Sequence, residues 1–426
     1  MPPLFSEEYM DKRSHPAGIL SAIFAIAATA SWPRGAAAQY SAWPASPSPA
    51  TPSQTNPNAL PWIHEGLRIT TTWEVWFMPG SQWQYTQDPD GNWVDQNGNR
   101  FSRDRRPEAT SASGLSVSVI SSIDGDHALL NNQGFAFSQA AGYAAPVPLA
   151  GYGAQSVSTI DENERWKPPA KLAAMQSDPA HGLLVRRIQW HNANAAFDAV
   201  RLDWQGNDVY KCQIFDLHTG GLLHFATVSH GAPPQQSALG AGNAEDTTLT
   251  QSDFVEARDI SVPWAHEPMP DSITSIRSLH YRGVQKMIGA PSGTPLQIDL
   301  DIEGHGAGWY KVGIASAIQT PGFAPRPSHS ETEFGRYSFV GLWIPPSALD
   351  GMKQGDVFDT DKPTQMKTYV LRSDGDSVII EAANSSGGSD DRYDKRTGIL
   401  TGQRIFTNPA GAAPGMETVV QLAGKQ

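Results

Sequence analysis

Two stretches, Trp166-Lys-Pro168-Pro169-Ala-Lys-Leu172-Ala-Ala-Met175 and Trp343-Ile-Pro345-Pro346-Ser-Ala-Leu349-Asp-Gly-Met352, share the pattern Trp-x-Pro-Pro-x-x-Leu-x-x-Met. Each is followed some 40 residues later by an aromatic-Asp-x-x-Thr-Gly-x-Leu element: Phe215-Asp216-Leu-His-Thr219-Gly220-Gly-Leu222 and Tyr393-Asp394-Lys-Arg-Thr397-Gly398-Ile-Leu400. The tryptophans are 343 − 166 = 177 residues apart and the aspartates 394 − 216 = 178. Two patterned elements recurring at nearly one offset mark an internal duplication.

Each element has a backbone explanation. Proline at a first helical turn starts a short helix, and Leu172 and Met175, three apart, dock it onto a sheet. In the second element Asp and Thr bond nearby amides while Gly supplies a positive φ, which makes a hairpin. The flanking segments alternate as strands. Leu296, Ile298, Leu300 and Ile302 face one way, with Gln297, Asp299, Asp301 and Glu303 facing the other. Tyr210, Cys212 and Ile214 do the same, placing the single cysteine on an apolar face as an inert buried thiol. With 39 glycines, 33 prolines and 17% charged residues, the composition suits tight turns between strands.

The expected fold is therefore all-β: two internally duplicated antiparallel β units, each with one short helix. Repeat A spans 60–232, a Gly/Ala/Pro/Gln-rich connector 233–270, repeat B 271–409 and a weakly patterned tail 410–426. Before them, Lys12, Arg13 and His15 precede an apolar run from Ala17 to Ala30, and Ala36-Ala-Ala38 offers a cleavage site, so 1–38 reads as a signal peptide. That run is shorter than the ~20 residues of a spanning helix. A Pro/Ser-rich tether, 39–59, cannot bury a core. The expected location is periplasmic or extracellular, with no membrane span after cleavage.

A net charge of −12 with no basic run argues against nucleic acid as a partner. Asp88-x-Asp90-x-Asn92 carries oxygen ligands at short spacing, but Gly91 stands fourth where a calcium loop needs its glycine sixth, so hairpin turns are the preferred reading. His218, His224 and His230 are six apart, too far along a straight strand to share a metal. No metal site or cofactor is expected, and no nucleophile or phosphate-loop pattern occurs.

Features present in both copies read as scaffold, and those confined to one as candidates for function. Trp62, Trp73, Trp76, Trp83 and Trp93 crowd into repeat A, whereas repeat B has Trp309 and Trp343. Indole faces suit apolar, aromatic or glycan ligands. Trp73, Trp76, Trp83 and Trp93 are thus the expected ligand-binding residues of a non-catalytic exported binding or envelope-associated protein. The alternative is a secreted glycosidase-like hydrolase using carboxylates drawn from Asp299, Asp301 and Glu303 or from Asp356, Asp359 and Asp361.

Overall fold

In a computed structural model of the chain, the described residues are 60–78, 85–101, 110–192, 195–206, 210–230, 247–265, 267, 275–306, 308–318, 326–338 and 341–425. The leader, the tether and Trp83 lie outside them. The described part is almost wholly β, with two antiparallel sheets that repeat one plan.

The first sheet runs, in hydrogen-bonded order, β7 (Val147–Ser158), β6 (His127–Ala136), β5 (Thr110–Asp124), β1 (Leu67–Met78), β12 (Thr247–Asp259), β11 (Leu222–His230), β10 (Tyr210–Asp216), β9 (Ala196–Gln205) and β8 (Leu183–His191). The second runs β16 (Arg326–Gly335), β15 (Trp309–Ile318), β14 (Thr294–His305), β13 (Ser278–Met287), β22 (Met416–Lys425), β21 (Leu400–Thr407), β20 (Gly387–Asp394), β19 (Ser377–Asn384), β18 (Lys367–Ser373) and β17 (Val357–Thr360). In both, the last strand of the unit returns to pair with the first, β12 on β1 and β22 on β13. The copies differ by the edge strand β17 and by a small sheet, β2 (Tyr85–Gln87), β3 (Trp93–Asp95) and β4 (Arg100–Phe101), inserted after β1.

The sheets extend past the sequence bounds. β12 lies inside the stretch read as connector and β22 inside the stretch read as tail. Both are half-polar strands next to Gly- and Ala-rich segments, so composition hid them; their partner strands define them. The Gly/Ser/Asp stretch before the second Thr-Gly hairpin, Gly387 to Asp391, belongs to strand β20.

The duplicated elements meet in space. Trp166 forms a β-bridge with Gly221 and Trp343 one with Ile399, so each Trp-Pro-Pro segment lies against the hairpin tip of its own unit. Lys167 N–H donates to Gly220 O and Ile344 N–H to Gly398 O, both at 2.9 Å. The Asp216 and Asp394 carboxylates accept from the amide and hydroxyl of Thr219 and Thr397. Helices α1 (Pro169–Ala174) and α2 (Pro346–Gly351) follow. Leu172 is fully buried with Val200, Leu202 and Phe215, and Met175 packs at the edge of that cluster, so α1 docks on the sheet as its spacing predicts.

Arg68 and Arg258 of the first sheet pair with Asp359 and Asp361 at the edge of the second, and Leu115, Val117, Val119, Phe135 and Val255 pack with Tyr337 and Met366 around them. Among the described residues no helix is long and apolar enough to cross a membrane.

Candidate ligand cavity

The alternation of β20 puts Ser389, Asp391 and Tyr393 on one face, all buried. Antiparallel pairing sets Ile380 of β19 and Gln403 of β21 on either side of Asp391, and Val420 of β22 beyond Gln403. Asp391 is therefore a carboxyl in a row of otherwise uncharged side chains. Its Oδ1 accepts from Gln403 Nε2 at 2.8 Å and its Oδ2 from Ser389 Oγ at 3.4 Å. Burial pushes its pKa up to about 7; the Gln403 hydrogen bond pulls the other way and Asp390 adds to the rise.

Above this row lies a cavity of about 50 Å³, room for roughly three to five waters. Tyr310, Trp343, Tyr393 and Phe358 line it from the second unit, together with Ile380 and Asp391. The segment joining the two units forms its other wall, through Ile260, Val262 and Trp264. Trp264 stacks edge-on against Phe358 at 5.7 Å and its indole N–H donates to Arg336 O at 2.9 Å. The Arg336 guanidinium returns a hydrogen bond to Ala265 O. The joining segment is thus sewn across the mouth of the cavity.

The tyrosine hydroxyls around it are engaged by backbone. Tyr281 donates to Leu400 O at 2.7 Å, Tyr393 donates to Gly341 O at 2.9 Å, and Tyr310 accepts from Leu342 N–H at 2.6 Å. Tyr393 and Tyr310 thereby fix the chain between β16 and α2.

The expected tryptophan site of the first unit is distributed differently. Trp76 and Trp93 come together, edge-to-face at 6.4 Å, and Trp93 meets Tyr210 at 6.3 Å, all three buried. The indole N–H of Trp93 has no acceptor among the described residues. Trp73, three residues from Trp76 on the same strand, is half-buried and donates to Leu115 O at 3.1 Å. Trp62 packs on Trp166 at 5.9 Å.

Beside Trp93, β2 is fastened to the first sheet by polar groups. Arg201, 2% exposed, donates to Gln87 O and Asp88 O and pairs with Asp203. Burial opposes the Asp203 charge, but hydrogen bonds from Arg201 and Arg186 hold its pKa below the usual range. His224 lies 2.7 Å from Asp253 and 2.9 Å from Gln87, and Gln251 closes the ring between those two. Cys212 is fully buried, and burial pushes its thiol up to about 12. His218 and His230 lie elsewhere, the first 3.6 Å from Asp198 and the second hydrogen-bonded with Thr247. Asp88 and Asp95 each accept the amides two and four residues on, giving twin hairpin turns with Gly91 and Gly98 at positive φ.

The carboxylates singled out in repeat B are largely committed. Asp299 is held by His280, Arg282 and Gln297, Glu303 by Lys311, Asp359 and Asp361 by the two arginines of the first sheet, and Asp356 by Lys353 N–H.

No family model matches the chain, and no curated protein does. Among solved structures, it is similar to a protein of unknown function of the DUF3598 family from Nostoc punctiforme PCC 73102, with 9% identity and a TM-score of 0.18 over 84% of this chain and 96% of that one.

Proposed function

We propose that the protein is an exported, non-catalytic binding protein that holds a small ligand in the cavity between β20 and the segment joining the two units. The cavity carries this reading: it is concave, rich in aromatic side chains and covered by the joining segment, with the buried Asp391 carboxyl among the few polar groups on its wall, as small-molecule sites are. In the first unit the faces of Trp76 and Trp93 are taken up by each other and by Tyr210, which leaves them as core. The ligand class stays apolar, aromatic or glycan in character. Export rests on the Lys12-to-Ala38 leader, and the signal predicts a mature protein beginning at Gln39 in the periplasm or medium.

Trp264 and Trp343 line the cavity, so ligand entry should change the intrinsic fluorescence. Titrating the exported chain with a panel of small aromatic, short-chain alcohol and polyol probes should give a saturable change that Ile380→Phe, which fills the cavity, weakens at least tenfold. A panel without response, or one whose hits bind the filled variant equally, would sink the proposal. The hydrolase reading draws less support, because of the other acids on the lining Asp359 is paired with Arg68 and Arg258 and Glu267 is hydrogen-bonded by Ser347.

A further inference from the structure

The duplication allows the cavity to be compared, position by position, with its counterpart in the first unit. Asp394 and Asp216 make the same threonine contacts, so Asp391 corresponds to Gln213, three residues earlier in each copy. The pairing agrees: Asp391 stands between Ile380 and Gln403, and Gln213 between Leu202 and Phe225. The neutral Gln213 is directed to the backbone, with its Nε2 donating to Glu164 O at 3.4 Å. The same row of the same fold thus holds an amide in one copy and a carboxyl in the copy with the cavity.

Placing an acid there is costly unless something offsets it. Asp391 is 2% exposed, and among the described residues no salt bridge includes it and no cation figures among the groups acting on it. The side chains at hand are aromatic. Tyr310, Tyr393, Trp343, Trp264 and Phe358 line the same cavity, and their ring faces carry the negative end of the quadrupole. The Tyr393 hydroxyl donates to Gly341 O, whereas that of Tyr310 accepts from Leu342 N–H and keeps its own proton to donate. The other charged residues on the lining are Asp359, paired with Arg68 and Arg258, Glu267, bonded to Ser347, and Arg336, tied to Ala265 O. A compact positive ligand is what this combination lacks.

We propose that the cavity binds a small organic cation, a primary or quaternary ammonium group, with Asp391 as its counter-ion and the surrounding aromatic rings as its box. This rests on the cavity being the ligand site and names the class of ligand it takes. The cation replaces the missing partner of a buried carboxylate, so affinity depends on charge rather than on shape alone.

The test uses the whole mature chain and calorimetric titration with choline, phenethylammonium and the uncharged choline isostere 3,3-dimethylbutan-1-ol. Choline or phenethylammonium should bind wild type at least tenfold more tightly than the isostere does, and Asp391→Asn should lose at least tenfold for the cation while leaving isostere binding unchanged. Isostere and cation binding equally would overturn the cation assignment and leave the cavity reading standing. Silence from both cations overturns the assignment as well, and the neutral panel on Ile380→Phe then decides the cavity separately. Should Asp391→Asn not fold, wild type alone answers through pH: cation affinity should rise between pH 5 and 8 as Asp391 ionises, with Asp359, Glu267 and Arg336 and the hydroxyls of Tyr281, Tyr310, Tyr337 and Tyr393 as the other titratable groups facing this region, and Asp390, paired with Arg404, on the opposite face of β20. A flat profile overturns the proposal.

Discussion

Two neighbouring carboxyls make the second unit pH-sensitive: burial pushes Asp390 up to about 6 and Asp391, the more deeply buried, further still. Asp391 titrates at about 7 in the folded chain, against about 3.9 for an aspartate in an unfolded one. The folded state therefore holds the proton more tightly, and the stability this linkage provides is complete below pH ~3.9 and drains away as pH rises toward 7. Three units at about 1.4 kcal/mol each make the difference about 4 kcal/mol. Asp391→Asn, which keeps an acceptor for Gln403 and carries no charge, should flatten that slope and raise the melting temperature at pH 8 relative to wild type. Circular dichroism melts at pH 5 and pH 8 check it; parallel curves for the two proteins would show that the site relieves its charge in some other way. Asp391 itself was not readable from sequence. It sits in Ser385-Ser-Gly-Gly-Ser-Asp-Asp391, a composition that reads as loop. The glycine that gives that impression has a strand reason: a Cβ on Gly388 would come within 2.3 Å of Ala382 O on the neighbouring strand.

At the scale of elements, the Trp-Pro-Pro segment and the Thr-Gly hairpin were legible separately, but their contact was not. Each local pattern has a local explanation, and only the bridges Trp166–Gly221 and Trp343–Ile399 show that they form one joint. The joint explains why glycine recurs at both tips. A Cβ on Gly220 would lie 1.9 Å from Lys167 O, and one on Gly398 2.1 Å from Ile344 O, with φ of 79° and 75°. Gly220→Ala and Gly398→Ala should each cost about 2–3 kcal/mol, since strain and collision act together. Alanine at Gly125 of the Asp-Gly-Asp turn, where a Cβ meets nothing within 4 Å, should cost less. Urea midpoints of the three variants decide this; equal losses at all three would mean that conformation, and not the joint, sets the requirement. The strands β12 and β22 escaped the sequence for a related reason: a half-polar strand is identified by its partners, and one of the two partners of each, β1 or β13, is remote, from 416 − 287 = 129 to 259 − 67 = 192 residues away.

On the scale of the whole molecule, the two units are latched by the cluster of Arg68, Arg258, Asp359 and Asp361 set in an apolar surround. Burial opposes the charge of Asp361, but Arg68, the Thr364 hydrogen bonds and Arg258 together outweigh it and its pKa lies below the usual range. A depressed carboxylate stabilises the fold above its unfolded pKa of ~3.9 and ceases to do so as pH falls through its folded value. Arg68→Met removes one of two arginines from an acid whose side chain is fully buried, and should cost about 3 kcal/mol. Unfolding followed by tryptophan fluorescence should lose its single transition in this variant; one cooperative transition at the wild-type midpoint would show the latch to be dispensable. The latch, the duplication and the cavity are of different legibility: a repeat is written in the chain, whereas an interface and a cavity exist only between strands that the chain keeps apart. The closing strands carry one more consequence, for the order of events in biosynthesis. In each unit the strand that joins the first to the rest is the last to be made, so β1 and β13 wait with an unpaired edge until β12 and β22 emerge. Closure by non-local pairing is slow, and an open edge invites other strands. Until its final strand is in register, each half-made unit therefore presents a strand edge that another chain can pair with.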